Sequence, residues 1–152
     1  MADGSGPLGN IGLAATTFYV SDLEAALAWY GDVFGLEPMT VGADAERYAA
    51  FLVGASILVL EPRTAAIEPI APGHESTTVN LVVDKDPAAV RQDLVGRGAV
   101  CSAIVDSPHY SSFLVRDLEG NRFYVSRPVS AEAQQDLTDA ATALTSVQAP
   151  AS

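Results

Sequence analysis

The sequence contains two copies of one pattern, and this repeat constrains the fold more than any other feature. Residues 20–38 and residues 83–100 each read as a strand end, a capped helix and a glycine stop. An offset of 63 residues aligns the two copies and places Gly35 on Gly98. We therefore expect two equivalent units, and the space between two such units is a common place for a binding site.

Helix signals stand at equivalent places in the two copies. In the first copy, Ser21 and Glu24 form the S-x-x-E pattern of a capping box, and an apolar stripe follows at three- and four-residue spacing. In the second copy, Asp86 is followed by a proline, which is typical of a helix start. Gly35 and Gly98 are expected to end the two helices.

Segments rich in β-branched and aromatic residues surround each helix, so both copies read as strand, helix and three strands. The chain is therefore predicted to be an α+β protein with two βαβββ units and a C-terminal helical extension. The expected organisation is a flexible leader (1–10), a first unit (11–62), a linker (63–75), a second unit (76–128) and a helical tail (129–152).

Charge and cysteine content narrow the classes of partner. The formal net charge is −11, which disfavours nucleic acids and anionic membranes and suits a cationic ligand. The sequence has neither an apolar run long enough to span a membrane nor the features of a signal peptide. Cys101 is the single cysteine and lies in an apolar run, so we expect a packing role for it and a cytoplasmic location for the protein.

Three motifs follow one another along the chain: DLEAALAWY at residues 22–30, GLEP at 35–38 and RDLEGN at 116–121. In this order, and with the repeat, they resemble the vicinal oxygen chelate superfamily of glyoxalases, bleomycin-resistance proteins and extradiol dioxygenases. The resemblance covers about residues 11–128. It implies paired βαβββ units whose strands curl into an open cup of mixed sheet, and commonly a homodimer.

The enzymes of this superfamily bind a divalent metal in the cup through His, Gln or Glu side chains on the first and last strand of each unit. By resemblance, the corresponding positions here are Ala15, Leu58, Thr78 and Tyr124. None of these residues is a usual metal ligand. The resemblance therefore implies the metal-free, bleomycin-resistance type, with no metal and no cofactor.

Side-chain alternation supports this alignment in two strands. If Thr78 and Tyr124 face the cup, Asn80 and Arg122 face it as well, and the helix-facing positions of both strands are wholly apolar. A slip of one residue would bury Asn80 and Arg122 beneath the helices, which is costly.

The cup is expected to bind a small molecule through mostly aromatic and apolar walls with a few polar groups. The predicted ligand-binding residues are Thr17, Tyr19, Tyr48, Phe51, Leu58, Leu60, Thr78, Asn80, His109, Tyr110, Arg122 and Tyr124. Tyrosine rings offer flat faces to a conjugated guest. We therefore expect metal-independent binding of a cationic or polycyclic aromatic natural product, as in antibiotic sequestration or self-resistance.

Several alternatives remain open. The chain could be a metal-independent isomerase, cyclase or epimerase, with acid–base and oxyanion-binding groups among Tyr19, Asn80, His109, Arg122 and Tyr124. Binding is favoured because no carboxylate falls at a mapped cup position. A metalloenzyme could use displaced ligands from His74, Glu75 and Glu61. A further alternative is a dimeric accessory protein whose cup is closed by its own side chains. The sequence also leaves open whether one chain or two chains form the cup.

Overall fold

The computed structural model describes residues 15–41, 48–63 and 78–148. The first unit comprises β1 (Ala15–Val20), α1 (Leu23–Phe34), β2 (Thr40–Val41), β3 (Ala49–Val53) and β4 (Ser56–Pro62). The second unit comprises β5 (Val79–Val82), α2 (Pro87–Gly96), β6 (Val100–Cys101), β7 (Val105–Asp106), β8 (Tyr110–Arg116) and β9 (Arg122–Pro128). Helix α3 (Ala131–Gln148) follows the second unit.

The strands form two mixed sheets, which confirms the predicted α+β class. The first sheet has the strand order β1-β4-β3-β2, and the second has the order β5-β9-β8-β6 with β7 paired to β8. In each sheet the first strand runs parallel to the last, and the other pairs are antiparallel. The predicted C-terminal helix is present as α3. Within the described ranges, no helix is long and apolar enough to cross a membrane.

Helix α1 is capped one residue later than the capping box predicts. Asp22 is the N-cap, and its Oδ1 accepts a hydrogen bond from the Ala25 N–H at 3.0 Å. Ser21 instead donates its backbone N–H to Glu119 Oε1 of the second unit at 2.7 Å. At the other end Gly35 adopts the left-handed conformation with φ 68°, as predicted.

The other two helices begin at polar caps. Asp86 Oδ1 accepts from the Ala88 N–H at 3.4 Å at the start of α2, which confirms the predicted Asp-Pro start. Ser130 Oγ accepts from the Ala133 N–H at 3.1 Å at the start of α3. Between α2 and β8 the chain forms two short strands, β6 and β7, and both pair with β8.

One hydrophobic core joins the two sheets. Phe18 of β1 meets Phe123 of β9 edge to face, with ring centroids 5.4 Å apart. Tyr30 and Phe34 of α1 also contact Phe123, and Tyr30 stacks on Phe51 of β3 at 5.8 Å. The three phenylalanines on strands, Phe18, Phe51 and Phe123, stand on the strand faces that pack against the helices. The helix-facing sides of the two sheets therefore contribute to one shared core.

Candidate functional site

Each sheet has one face against the shared core and one face turned away from it. In β1, Phe18 and Val20 are buried and Thr17 is exposed. In β9, Phe123 is buried while Tyr124 is 43% exposed. The predicted alternation is present in both strands, and the faces turned away from the core correspond to the predicted walls of the cup.

Cross-strand pairing defines the first open face, which belongs to the first sheet. Thr17 pairs with Val59, and Val59 pairs with Ala50 on the far side. By this register and the alternation of β3, the face consists of Ala15, Thr17, Tyr19, Tyr48, Ala50, Leu52, Ile57, Val59 and Glu61. It is a mainly apolar and hydroxyl-bearing surface that contains the predicted residues Thr17, Tyr19 and Tyr48, with the carboxylate of Glu61 at one end.

Three residues predicted to line the cup lie in the core instead. Leu58, Leu60 and Phe51 are 5% exposed or less and belong to the core cluster. The register places Ala15 opposite Ile57, so Ile57 takes the open-face position that was predicted for Leu58. The prediction was wrong because residues 57–60 of β4 are all aliphatic, and alternation within them gives no contrast from which to read the orientation of the strand.

The second open face belongs to the second sheet, and cross-strand pairing sorts it into three rows. The rows are Val100–Arg116–Arg122, Leu114–Tyr124–Asn80 and Ser112–Ser126–Val82. The face therefore changes from cationic at one end, through an aromatic ring, to hydroxyl and aliphatic groups at the other. Tyr110 continues the face beyond Ser112, and the half-buried Thr78 lies directly before β5.

Arg116 and Leu114 also belong to this face and were not among the predicted residues, although the alternation of residues along β8 could have identified them. The Arg116 Nη1 donates to the Gly120 carbonyl oxygen at 3.0 Å, which holds the guanidinium near the turn between β8 and β9. Arg116 and Arg122 are both half-buried and stand directly opposite each other.

Helix α3 lies beside the aliphatic end of the second open face. Val82 lines a groove of about 580 Å³ together with Gln134, Leu137, Thr138, Ala141 and Thr142. Ser126, which pairs with Val82, is buried at 8% exposure. The groove is largely open to solvent and continues one end of the open face.

His109 stands at the start of α3. Its Nδ1 lies 3.2 Å from Ser130 Oγ and 4.0 Å from Glu132 Oε2. The side chain is exposed, and these contacts place it beside the helix rather than on either open face.

The residues at the family's metal-ligand positions do not fit a divalent ion. Ala15 and Ile57 carry no donor atom, and the hydroxyls of Thr78 and Tyr124 are not the imidazole or carboxylate groups that such ions require. Among the residues that the structure describes, no three His, Cys, Asp or Glu side chains come together as a metal site. His74 and Glu75, two of the displaced ligands considered above, lie outside the described residues.

Apart from Arg116, the RDLEGN motif serves the fold rather than the open faces. The buried carboxylate of Asp117 accepts hydrogen bonds from the Tyr30 hydroxyl at 2.7 Å and from the backbone N–H groups of Glu119 and Asn121. Burial, and then the Asp117 carboxylate, raise the pKa of Tyr30 far above its ordinary value. The pair ties α1 to the second unit inside the core.

Cys101 packs against the core from β6. Burial raises the pKa of its thiol, and Arg91 opposes that shift. A protonated thiol is a weak nucleophile, so this environment favours the packing role expected from the sequence.

The sequence and the fold were compared with known proteins. A family profile described as the Glyoxalase/Bleomycin resistance protein/Dioxygenase superfamily matches residues 12–125. No curated protein matches the chain. TioX from Micromonospora sp. ML1 is similar in structure, with 22% identity, coverage of 76% of this chain and 98% of that chain, and a TM-score of 0.60.

Two further solved structures resemble the chain at similar identity. TnmS3, an antibiotic binding protein from Streptomyces sp. CB03234, is 20% identical over 78% of this chain and 96% of that chain, with a TM-score of 0.65. UcmS2 is 21% identical over 76% of this chain and 97% of that chain, with a TM-score of 0.66. At these identities the likeness to the solved structures concerns the fold.

Proposed function

Because the chain belongs to the glyoxalase, bleomycin-resistance and dioxygenase superfamily, we propose that it binds a small conjugated natural product without a metal ion. The observation that carries this proposal is the make-up of the two open faces. They present aromatic, aliphatic and hydroxyl side chains where an enzyme of the superfamily needs metal ligands. The antibiotic binding by TnmS3, which has the same fold, supports sequestration of an antibiotic as the role.

Tyr124 supplies the main stacking surface in this proposal. Its ring is 43% exposed at the centre of the second open face, between Asn80 and Leu114. An offset or edge-on aromatic contact contributes about 0.5–1.5 kcal/mol beyond the area that it buries. Asn80 can fix the orientation of a carbonyl or hydroxyl group on the guest.

A second copy of the chain completes the cup in this proposal. The core fills the space between the two sheets, so each open face is half of a cup. Leu52, Val82 and Val100 on these faces are 61%, 50% and 73% exposed, and a partner chain that covered them would remove this apolar surface from water. A two-fold dimer that sets the first open face of one copy against the second open face of the other covers both.

The sheet edges favour the same arrangement. Strands β1 and β5 end the strand orders of their sheets and carry no charged side chain, and such edges are prone to pair with another strand. Pairing of β1 with the partner's β5 would join two half-cups into one continuous wall. Light scattering is expected to give twice the chain mass of 15.8 kDa, and a monomer at micromolar concentration would remove this part of the proposal.

A cytoplasmic location is also part of the proposal, because the sequence has a single cysteine, Cys101, and therefore cannot form a disulfide within the chain.

The binding proposal is tested by a thermal-shift screen of anthraquinone, enediyne and glycopeptide compounds in the presence of a chelator. A guest at 100 times its dissociation constant is expected to add about 2.7 kcal/mol to the free energy of unfolding. Calorimetry is then expected to give one site per chain, and mass spectrometry an unchanged guest. Binding weaker than millimolar for every class would overturn the proposal, and a chemically altered guest would replace it with the isomerase or cyclase reading. A stoichiometric metal in elemental analysis would overturn metal independence.

A further inference from the structure

We propose that the guest carries a protonated amine, and that Glu61 binds this amine at one end of the first open face, between the rings of Tyr19 and Tyr48. This inference rests on the proposed function and names the charged group of the guest and the residue that selects it.

Three residues form a row at this end of the first open face. Tyr19 of β1 pairs with Glu61 of β4 in parallel register. On the other side of β4, Ala49 pairs with Leu60 in the antiparallel register of β3. Continuing that register by one residue places Tyr48 opposite Glu61. The carboxylate therefore stands between two aromatic side chains on one face of the sheet.

The register of β4 is what brings this carboxylate to the open face. The predicted cup contains Leu58 and Leu60, an arrangement that would turn Glu61 away from a guest. The pairing of Ala15 with Ile57 instead places residues 57, 59 and 61 on the open face. The correction that moves two leucines into the core therefore also adds an acidic group to the wall of the cup.

The spacing of the strands suits an ammonium group. Neighbouring strands lie about 4.7–4.9 Å apart, so the two tyrosines are carried by strands about 10 Å apart with Glu61 midway between them. A cation above the carboxylate is then about 5 Å to the side of each tyrosine strand, and ring faces attract cations within about 6 Å. The row can therefore offer one carboxylate and two ring faces to the same ammonium group.

The surroundings of Glu61 strengthen such a contact. Glu61 and Tyr19 are half-buried, and a charge pair that is partly shielded from water is stronger than one on an open surface. Arg63 directly follows β4, and its Nη2 donates to the Tyr19 carbonyl oxygen at 3.4 Å, so its guanidinium is engaged by the main chain of β1. Among the residues that the structure describes, no basic side chain forms an ion pair with Glu61.

A single carboxylate beside aromatic rings fits an amine better than it fits a metal ion. Divalent ions require several His, Cys, Asp or Glu ligands, and no three such side chains come together within the described ranges. The net charge of −11 attracts any cation at long range. Glu61 would act at short range, so the test has to separate its contribution from the net charge.

The next row of the first open face leaves space for the rest of the guest. It consists of the smaller side chains of Thr17, Val59 and Ala50. Successive rows lie two residues apart along a strand, about 7 Å. A flat guest with its amine at Glu61 therefore places its ring system over this row, where the proposed dimer sets the second open face of the other chain.

The test uses three probes with one ring system and different charges: 2-(aminomethyl)anthraquinone, 2-(hydroxymethyl)anthraquinone and anthraquinone-2-carboxylate. With the full-length wild-type protein near neutral pH, calorimetry is expected to show the amine binding about tenfold more tightly than the alcohol. Rising salt is expected to weaken the amine complex and to leave the alcohol complex unchanged.

The outcomes of the probe comparison separate this inference from the proposed function. Equal affinities for amine and alcohol, or tighter binding of the carboxylate, would overturn the inference and leave the proposed function in place. Failure of the amine probe while other compounds of the wider panel bind would do the same. Failure of all three probes together with the wider panel would overturn both.

Substitution assigns the effect to Glu61. Glu61→Gln keeps the shape of the side chain and is expected to weaken amine binding about tenfold and alcohol binding less than about twofold. Asp32→Asn is the matched control, because Asp32 is exposed on α1, which packs on the core face of the sheet. An equal loss of amine affinity in both variants would reduce the effect to net charge and overturn the inference. The wild-type probe comparison decides even where a variant does not fold.

A second substitution tests the aromatic part of the row. Tyr48 is 38% exposed, and Tyr48→Leu keeps an apolar side chain while it removes the ring face. The ratio of amine affinity to alcohol affinity is expected to fall about threefold in this variant. This ratio cancels any loss of stacking that the two probes share. An unchanged ratio would remove Tyr48 from the ammonium site.

Discussion

The hydroxyl group of Tyr30 links the two units of this fold through its hydrogen bond to Asp117. Tyr30→Phe removes it from Asp117, which retains its hydrogen bonds from Glu119 and Asn121. Because a hydrogen bond to a charged group contributes about 1.5–3 kcal/mol, urea denaturation is expected to show a loss of that size. Tyr124→Phe, which removes an exposed hydroxyl, should cost less than about 0.5 kcal/mol. Equal stability of Tyr30→Phe and wild type would show that the bond makes no net contribution.

The same residue predicts how stability depends on alkaline pH. The folded protein raises the pKa of Tyr30 above its ordinary value of 10.0, chiefly through burial and then through Asp117. Above that pH the unfolded chain releases a proton that the folded chain keeps, so the stabilisation present below pH 10.0 declines as pH rises. Unfolding free energies measured from about pH 9 to about pH 11 should fall more steeply in wild type than in Tyr30→Phe. Parallel profiles for the two proteins would assign the alkaline loss to other groups.

Strands β9 and β4 show which parts of the site the sequence can predict. In β9, aromatic and aliphatic residues alternate with Arg122 and Tyr124, so local contrast identifies the open face correctly. In β4, residues 57–60 are aliphatic on both faces, and the register with β1, about 40 residues earlier in the chain, shows which face is open. The N-cap of α1 shows the same limit. Ser21 and Asp22 are both residue types that cap helices well. In the fold Ser21 is hydrogen-bonded to the distant Glu119, and Asp22 is the N-cap.

Helix α3 lies outside the two repeated units, and its side chains line the groove beside Val82. We therefore expect α3 to influence which guests the protein binds. Leu137→Trp fills part of the groove beside Val82 and should weaken binding of a guest that extends beyond Tyr124 by about tenfold. A guest no longer than its ring system should bind equally well to both proteins. Asp136→Asn is the control, because Asp136 is the exposed neighbour of Leu137 and does not line the groove. Calorimetry with short and long guests checks this, and equal losses for both lengths would contradict it.

At the scale of the whole molecule, the proposed dimer forms each site from the first open face of one chain and the second open face of the other. Thr17→Trp obstructs the first open face, and Tyr124→Ala removes the ring of the second. Each variant alone should lose binding, since every cup of the proposed homodimer contains one altered face.

Mixing the two variants distinguishes a site formed between chains from a site formed within one. In a mixed dimer, one cup receives both altered faces and the other receives both intact faces. After equimolar unfolding and refolding with random pairing, calorimetry should therefore recover about one quarter of the wild-type binding capacity with wild-type affinity. A mixture that stays inactive while forming dimers would show that each site lies within one chain, because then every chain carries one altered face and no pairing can repair it.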